Sequence, residues 1–90
     1  MIASIEISMY PLADDKYKQK IFDFIKRIKQ DKNIRVEVNG MSTQLFGEYD
    51  LLMGVLKNEM KLEFENGKVM FLLKIGGTEM TKDNLPKDLK

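Results

Sequence analysis

The sequence contains neither cysteine nor histidine. Without cysteine, disulfides, thiolate zinc sites and cysteine nucleophiles are excluded. Without histidine, a Ser-His-Asp triad and histidine metal ligands are excluded as well, and we expect no metal site. Any catalysis would have to come from carboxylates, lysines or tyrosines. The composition therefore favours a protein that binds a ligand and is not an enzyme.

Long apolar runs and an excess of one charge are also missing. No segment approaches the roughly 20 apolar residues of a membrane helix. The first residues lack the basic and apolar regions of a signal peptide, so we expect a cytoplasmic protein without membrane insertion. The 15 basic and 14 acidic residues give a net charge of +1. Such a balance argues against strong attraction to nucleic acid or to anionic membranes.

The hydrophobic pattern changes period four times along the chain. Alternation indicates strands, and apolar residues three or four apart indicate helices. The predicted elements are a strand at 2–10, a helix at 15–31, a hairpin at 34–47, a helix at 50–65 and a strand at 68–75. This β-α-β-β-α-β order predicts an α+β fold of the ferredoxin-like type, a four-stranded antiparallel sheet with both helices on one face.

Several boundaries follow from local signals. The Asn39–Gly40 dipeptide predicts a two-residue type I′ turn that pairs Val38 with Met41. Asp50 is the predicted N-cap of the second helix. Residues 1–77 form the predicted domain. The polar residues 78–90 are predicted to be a tail that is loose or packs on a partner.

The small size of the domain favours association. A chain of 90 residues buries only a modest share of its surface, and a second copy would add to it. We therefore expect a homodimer or homotetramer.

The face of the sheet that the helices leave uncovered is the predicted binding surface, and we call it the open face. Apolar and polar side chains are mixed on it, which suits either a dimer contact or a small-molecule pocket beside one. The alternation places these residues there: Ser4, Glu6, Ser8, Tyr10, Arg35, Glu37, Ser42, Gln44, Phe46, Lys68, Met70, Leu72 and Lys74.

Three segments resemble the YkoF-type thiamine/hydroxymethylpyrimidine-binding proteins. They are residues 3–12 (ASIEISMYPL), 39–44 (NGMSTQ) and 46–50 (FGEYD). The resemblance implies a ferredoxin-like fold, non-enzymatic binding of thiamine or its hydroxymethylpyrimidine moiety, and a role in vitamin uptake or salvage. No cofactor is expected besides that ligand. A YkoF chain carries two such domains, and a homo-oligomer of this single domain could rebuild that arrangement, with the site near a subunit interface.

The chemistry of this ligand selects the candidate residues. Amides and hydroxyls match the donors and acceptors of the aminopyrimidine ring, whereas aromatic faces and carboxylates attract the thiazolium cation. The candidates also have structural interpretations. Glu6 and Glu37 suit solvated strand positions or ion pairs with Arg35 and Lys74, and a strand hydroxyl such as that of Ser8 or Ser42 serves either purpose. Tyr10 could cap the sheet edge, Asn39 could form the turn, and Thr43, on the core face, could be a packing residue. The predicted ligand-binding residues are Glu6, Ser8, Tyr10, Glu37, Asn39, Ser42, Thr43, Gln44 and Phe46.

Three other functions suit the same topology. An RNA-binding domain needs paired aromatics on the central strands and a basic surround, but the first strand offers only Tyr10. An acylphosphatase needs an arginine in a phosphate-binding loop after the first strand, where residues 11–15 (PLADD) are acidic. The main alternative is an assembly or regulatory domain that recruits a partner through the open face without a small ligand.

Overall fold

The chain folds into four strands and two helices, and the computed structural model describes residues 1–89. The strands form one antiparallel sheet in the order β2-β3-β1-β4. The predicted ferredoxin-like fold is thereby confirmed. Within residues 1–89, neither helix is long and apolar enough to cross a membrane. The elements are β1 (Ile2–Pro11), α1 (Tyr17–Lys29), β2 (Arg35–Val38), β3 (Thr43–Glu48), α2 (Tyr49–Asn66) and β4 (Val69–Gly76), followed by single 3₁₀ turns at Lys82–Asn84 and Lys87–Leu89.

The core lies between the helices and one face of the sheet. Alternate residues of β1 are apolar, so they all point to this face, and the apolar stripes of α1 and α2 cover it. Burying each large apolar side chain contributes about 1.5–3 kcal/mol. Because these side chains lie on one face of the sheet, both helices pack on that face. The buried residues include Ala3, Ile5, Ile7 and Met9 of β1, Phe24 and Ile28 of α1, and Leu52 and Leu56 of α2.

The pairing of β2 with β3 differs from the prediction by two residues. Val38 pairs with Thr43 and not with Met41. The ladder continues into the loop, because the Asn39 N–H donates to the Ser42 carbonyl at 3.0 Å. A shift of two residues keeps every paired side chain on its predicted face. Met41 itself leaves the core face and is 93% exposed.

The hairpin turn is not of type I′, and this prediction was wrong. A type I′ turn needs left-handed φ at both central residues. Within residues 1–89 no glycine has a left-handed φ, and Ala13 is the one residue that does. Instead, Asn39 Oδ1 accepts the N–H of Met41 at 2.8 Å. The side chain thus forms an Asx turn, which replaces the left-handed backbone that the dipeptide suggested.

The N-cap of α2 lies two residues earlier than predicted. Glu48 is the N-cap, and its Oε2 accepts the N–H of Leu51 at 2.9 Å. Asp50, the predicted cap, lies in the first turn, where its negative charge interacts favourably with the positive end of the helix dipole.

The loop before α1 is held by Asp14. Its Oδ1 accepts the N–H of Lys16 at 2.8 Å, and its Oδ2 lies 3.0 Å from Lys20 Nζ. The hydrogen bond from the Lys16 backbone, followed by that from the Lys20 side chain, holds the pKa of Asp14 below its ordinary value of 3.8. A carboxyl with a lowered pKa stabilises the fold above its ordinary pKa and loses this contribution as the pH falls through the folded value.

We therefore expect Asp14→Asn to lower stability near neutral pH and to have little effect in acid. Urea unfolding at about pH 7 and about pH 2.5 measures both. Asp15→Asn, at the adjacent exposed position, is the control and should not change the pH dependence. A deficit of Asp14→Asn that is equally large in acid would contradict this role of the carboxylate.

Candidate functional site

The C-terminal segment returns to the open face and contacts the sheet there. Ser4 Oγ, on β1, donates to the Thr78 carbonyl at 2.7 Å and accepts the N–H of Met80 at 2.7 Å. The Arg35 guanidinium on β2 lies 3.5 Å from a Glu79 carboxylate oxygen. The sequence predicted a tail that is loose or held by a partner, whereas this part of it packs on the sheet of its own chain.

A cleft of about 370 Å³ lies between this segment and the sheet. Its volume is within the range of small-molecule pockets, and three strands supply its floor. A second depression adjoins it on the side of β2 and shares Gln44 and Met80 with it. The cleft is lined by Ser4, Ile5, Glu6, Gln44, Phe46, Lys74, Ile75, Gly76 and Met80.

Glu6 is the polar centre of the cleft. Its neighbours across the ladder are Gln44 on β3 and Lys74 on β4. Glu6 Oε2 accepts a hydrogen bond from Ser42 Oγ at 2.6 Å, and Oε1 lies 3.9 Å from Lys74 Nζ. The Lys74 side chain is 85% exposed, so this ion pair is weak. The carboxylate can therefore accept a ligand donor or pair with a ligand cation.

Phe46 supplies the aromatic surface of the site. It is buried, and its neighbours across the ladder are Ser4 on β1 and Arg35 on β2. The guanidinium carbon of Arg35 lies 4.5 Å from the centre of the Phe46 ring. A planar cation thus already stacks near this ring, and Phe46, at 4% exposure, presents only a small part of its surface to the cleft.

The structure brings some of the predicted site residues together. Glu6, Gln44 and Phe46 line the cleft. Ser42 joins them through its hydrogen bond to Glu6. Glu37 lines the adjoining depression and lies near Arg35, with 3.6 Å between the carboxylate and the guanidinium.

The other predicted residues lie away from the cleft. Ser8 and Tyr10 are on the open face, further along β1, opposite Leu72 and Met70 of β4. Asn39 is at the exposed hairpin. Thr43 lies on the helix side of the sheet, where it lines a small cavity among core residues.

Several residues of the cleft were not among the predicted set. Ser4 and Lys74 were placed on the open face by the alternation, but their roles as a bond partner of the tail and as a weak partner of Glu6 depend on contacts between strands. Met80 belongs to a segment without periodicity. No sequence pattern indicated that this segment returns to the sheet.

Comparison with known protein families places this chain in one of them. The model of the thiamine-binding protein family matches residues 5–87, which include the segment above the cleft and every residue that lines the cleft except Ser4. The chain belongs to the thiamine-binding protein family. No curated protein is significantly similar to it.

Solved structures share the fold of this family member. A Streptococcus pneumoniae protein has a TM-score of 0.78 at 27% identity, over 89% of this chain and 90% of that one. A Thermotoga maritima protein with a proposed role in thiamine biosynthesis or salvage has a TM-score of 0.78 at 18% identity, over 92% of both chains. A hypothetical protein of Methanocaldococcus jannaschii has a TM-score of 0.73 at 22% identity, over 98% and 92%. The last two likenesses, at low identity, show the fold alone.

Proposed function

We propose that this protein binds thiamine or its hydroxymethylpyrimidine moiety in the cleft on the open face, without converting it, and serves vitamin uptake or salvage. The observation that carries the proposal is the Glu6 carboxylate, which lies beside the Gln44 amide at a cleft that also includes the ring of Phe46. Membership of the thiamine-binding family supports a ligand of this class.

The two parts of thiamine require different partners. The aminopyrimidine edge carries both donors and acceptors, and the Gln44 amide offers one of each kind. The thiazolium ring is a flat cation, which the Glu6 carboxylate attracts, and the small exposed part of the Phe46 ring adds an apolar contact at the cleft. Lys74 is the competing cation, and its exposed side chain can move into solvent when a ligand cation pairs with Glu6.

The open face also supports an oligomer, which we propose to be a homodimer or homotetramer. Tyr10, Met70 and Leu72 lie next to one another across β1 and β4, and each is about half exposed. Apolar groups that share a face with a cleft are suited to a subunit contact. A second copy on these residues would leave the cleft near the interface. The same residues favour the assembly domain as the second candidate function.

Calorimetry with thiamine, hydroxymethylpyrimidine and the thiazole alcohol tests the proposal. We expect Glu6→Gln to weaken thiamine binding by about tenfold or more, because a hydrogen bond or ion pair to a charged group is lost. The neutral hydroxymethylpyrimidine should lose less. Glu65→Gln, on the exposed side of α2, is the control and should bind like the wild type.

A ligand that binds only the native state must also raise the melting temperature. If none of the three compounds gives heat or a thermal shift at millimolar concentration, vitamin binding is rejected and the assembly domain is the better description. If Glu6→Gln binds thiamine as well as the wild type does, the ligand lies elsewhere.

A further inference from the structure

The C-terminal segment is attached to the sheet at a buried serine. Ser4 uses its hydroxyl both as a donor, to the Thr78 carbonyl, and as an acceptor, from the Met80 N–H, with both distances at 2.7 Å. Ser4 is buried, so the loss of these hydrogen bonds would leave polar groups without partners away from water. The hydroxyl therefore decides whether this part of the segment stays on the sheet.

The Met80 side chain packs on the sheet over Gly76, which has no side chain of its own. Gly76 lies opposite Ser4 in the ladder, and a Cβ built on Gly76 would lie 2.5 Å from Met80 Sδ. The Met80 side chain thus occupies the space above Gly76 and forms one wall of the cleft. More than half of this side chain remains exposed, and a flexible thioether can adapt to a bound ring. Met80 is therefore a movable wall and not part of the core.

The remaining ties of the segment are more exposed. The Glu79 carboxylate pairs with Arg35 at 3.5 Å, but both side chains are about half exposed, and such pairs contribute little. The Asn84 side-chain amide donates to the Glu79 carbonyl, and the Asn84 backbone N–H donates to the Thr81 carbonyl. These bonds lie within residues 79–84 and make no contact with the sheet. A single turn in so short a segment is not stable by itself, so we expect these bonds to be lost when the segment leaves the sheet.

We propose that residues 78–84 are a strap over the cleft, with Ser4 as its latch and Met80 as the side chain that closes on the ligand. The identity of the ligand rests on the proposed function. Because Met80 forms a wall of the cleft, a bound molecule leaves when the strap opens. The strength of the latch then sets the dissociation rate, whereas Glu6 and Gln44 set the recognition of the ligand.

The latch can be tested without any ligand by hydrogen exchange of the Asn84 backbone N–H. This bond is made within the strap, so a purely local change at Ser4 would not alter its exchange. We expect Ser4→Ala to accelerate it about tenfold or more, because two hydrogen bonds are lost. Ser8→Ala removes a hydroxyl from the same face of β1 and should leave the exchange at the wild-type rate. Equal Asn84 exchange in Ser4→Ala and Ser8→Ala overturns the latch.

The wall is tested by the thiamine dissociation rate in stopped-flow measurements. We expect Met80→Ala to release thiamine several-fold faster, with Asn84 exchange unchanged, because the backbone bonds of Met80 to Ser4 remain. Ser4→Ala should increase both rates. Met41→Ala, at the exposed hairpin tip, is the matched control and should resemble the wild type. Thiamine that leaves Met80→Ala and Ser4→Ala at the wild-type rate overturns the strap.

The two proposals fail in different ways. If the wild type binds no thiamine, the proposed function fails, and the Asn84 exchange in Ser4→Ala still supports or rejects the latch. If the wild type binds thiamine and the dissociation rates do not change, the strap fails and the binding function stands. Unfolding midpoints of each variant show that the measured rates belong to folded protein.

Discussion

Phe24→Ala is expected to destabilise the protein by about 3–5 kcal/mol, the range for removing a buried phenylalanine ring. Phe24 is 1% exposed. Its ring centre lies 5.3 Å from that of Phe71 on β4 and 5.8 Å from the guanidinium carbon of Arg27. The ring therefore fills the space between α1 and the sheet. A domain of this size has little stability to spare, so most molecules of the variant should unfold at moderate temperature.

The matched control is Phe22→Ala, which changes the same residue type two positions earlier in α1. Phe22 is 54% exposed, and we expect its removal to cost less than about 1 kcal/mol. Urea unfolding followed by circular dichroism gives both values. Similar losses for the two variants would mean that α1 does not present its Phe24 side to the sheet.

The contrast between these two phenylalanines was readable from the sequence. Phe24 lies on the stripe that repeats every three to four residues, and Phe22 does not. Periodicity of this kind reports which side of an element faces the core, because the geometry of a helix or strand fixes where each side chain points. For the same reason the alternation in β1, β3 and β4 placed Glu6, Gln44 and Lys74 on one face.

The hairpin shows where periodicity gives no answer. The faces of β2 and β3 were predicted correctly, but the predicted pairing of Val38 with Met41 was wrong. Periodicity cannot detect this error, since a shift of two residues leaves the faces unchanged. The turn then depended on the assumption that Asn39 takes a left-handed backbone. Its side chain instead accepts the N–H of Met41, an alternative that the same dipeptide allows.

The cleft was predictable only in part, for a related reason. Its strand residues follow from alternation, whereas its far wall comes from the segment around Met80. That segment is held by the backbone N–H of Met80 and the backbone carbonyl of Thr78. Every residue has a backbone carbonyl and every residue but proline a backbone N–H, so hydrogen bonds to these groups leave no signature in the sequence.

The two helices are joined by an ionic network beside this core. Arg27 of α1 donates from Nε to Glu59 Oε2 at 2.6 Å and from Nη2 to Glu63 Oε1 at 3.0 Å. Burial alone would lower the pKa of Arg27, but the hydrogen bonds to the two carboxylates more than offset this effect and raise it. A raised pKa stabilises the fold fully below the ordinary pKa of arginine. The contribution is therefore constant over the whole neutral range.

Arg27→Met is expected to destabilise the protein by about 2–3 kcal/mol, because it leaves the carboxylate of Glu63 desolvated and unpaired. The Glu63 side chain is 9% exposed and that of Arg27 is 31% exposed, so we place the loss below that of a fully buried pair. Lys26→Met, at the adjacent exposed position, is the control and should change stability by less than about 0.5 kcal/mol.

The double variant Arg27→Met/Glu63→Leu identifies the source of the loss. Replacing both partners by apolar groups removes the buried charge, so we expect most of the stability to return. Urea unfolding at about pH 6 and about pH 8 should give the same loss for Arg27→Met, because the arginine keeps its charge at both values. A double variant no more stable than Arg27→Met alone would show that packing of the Arg27 side chain, and not the unpaired carboxylate of Glu63, accounts for the effect.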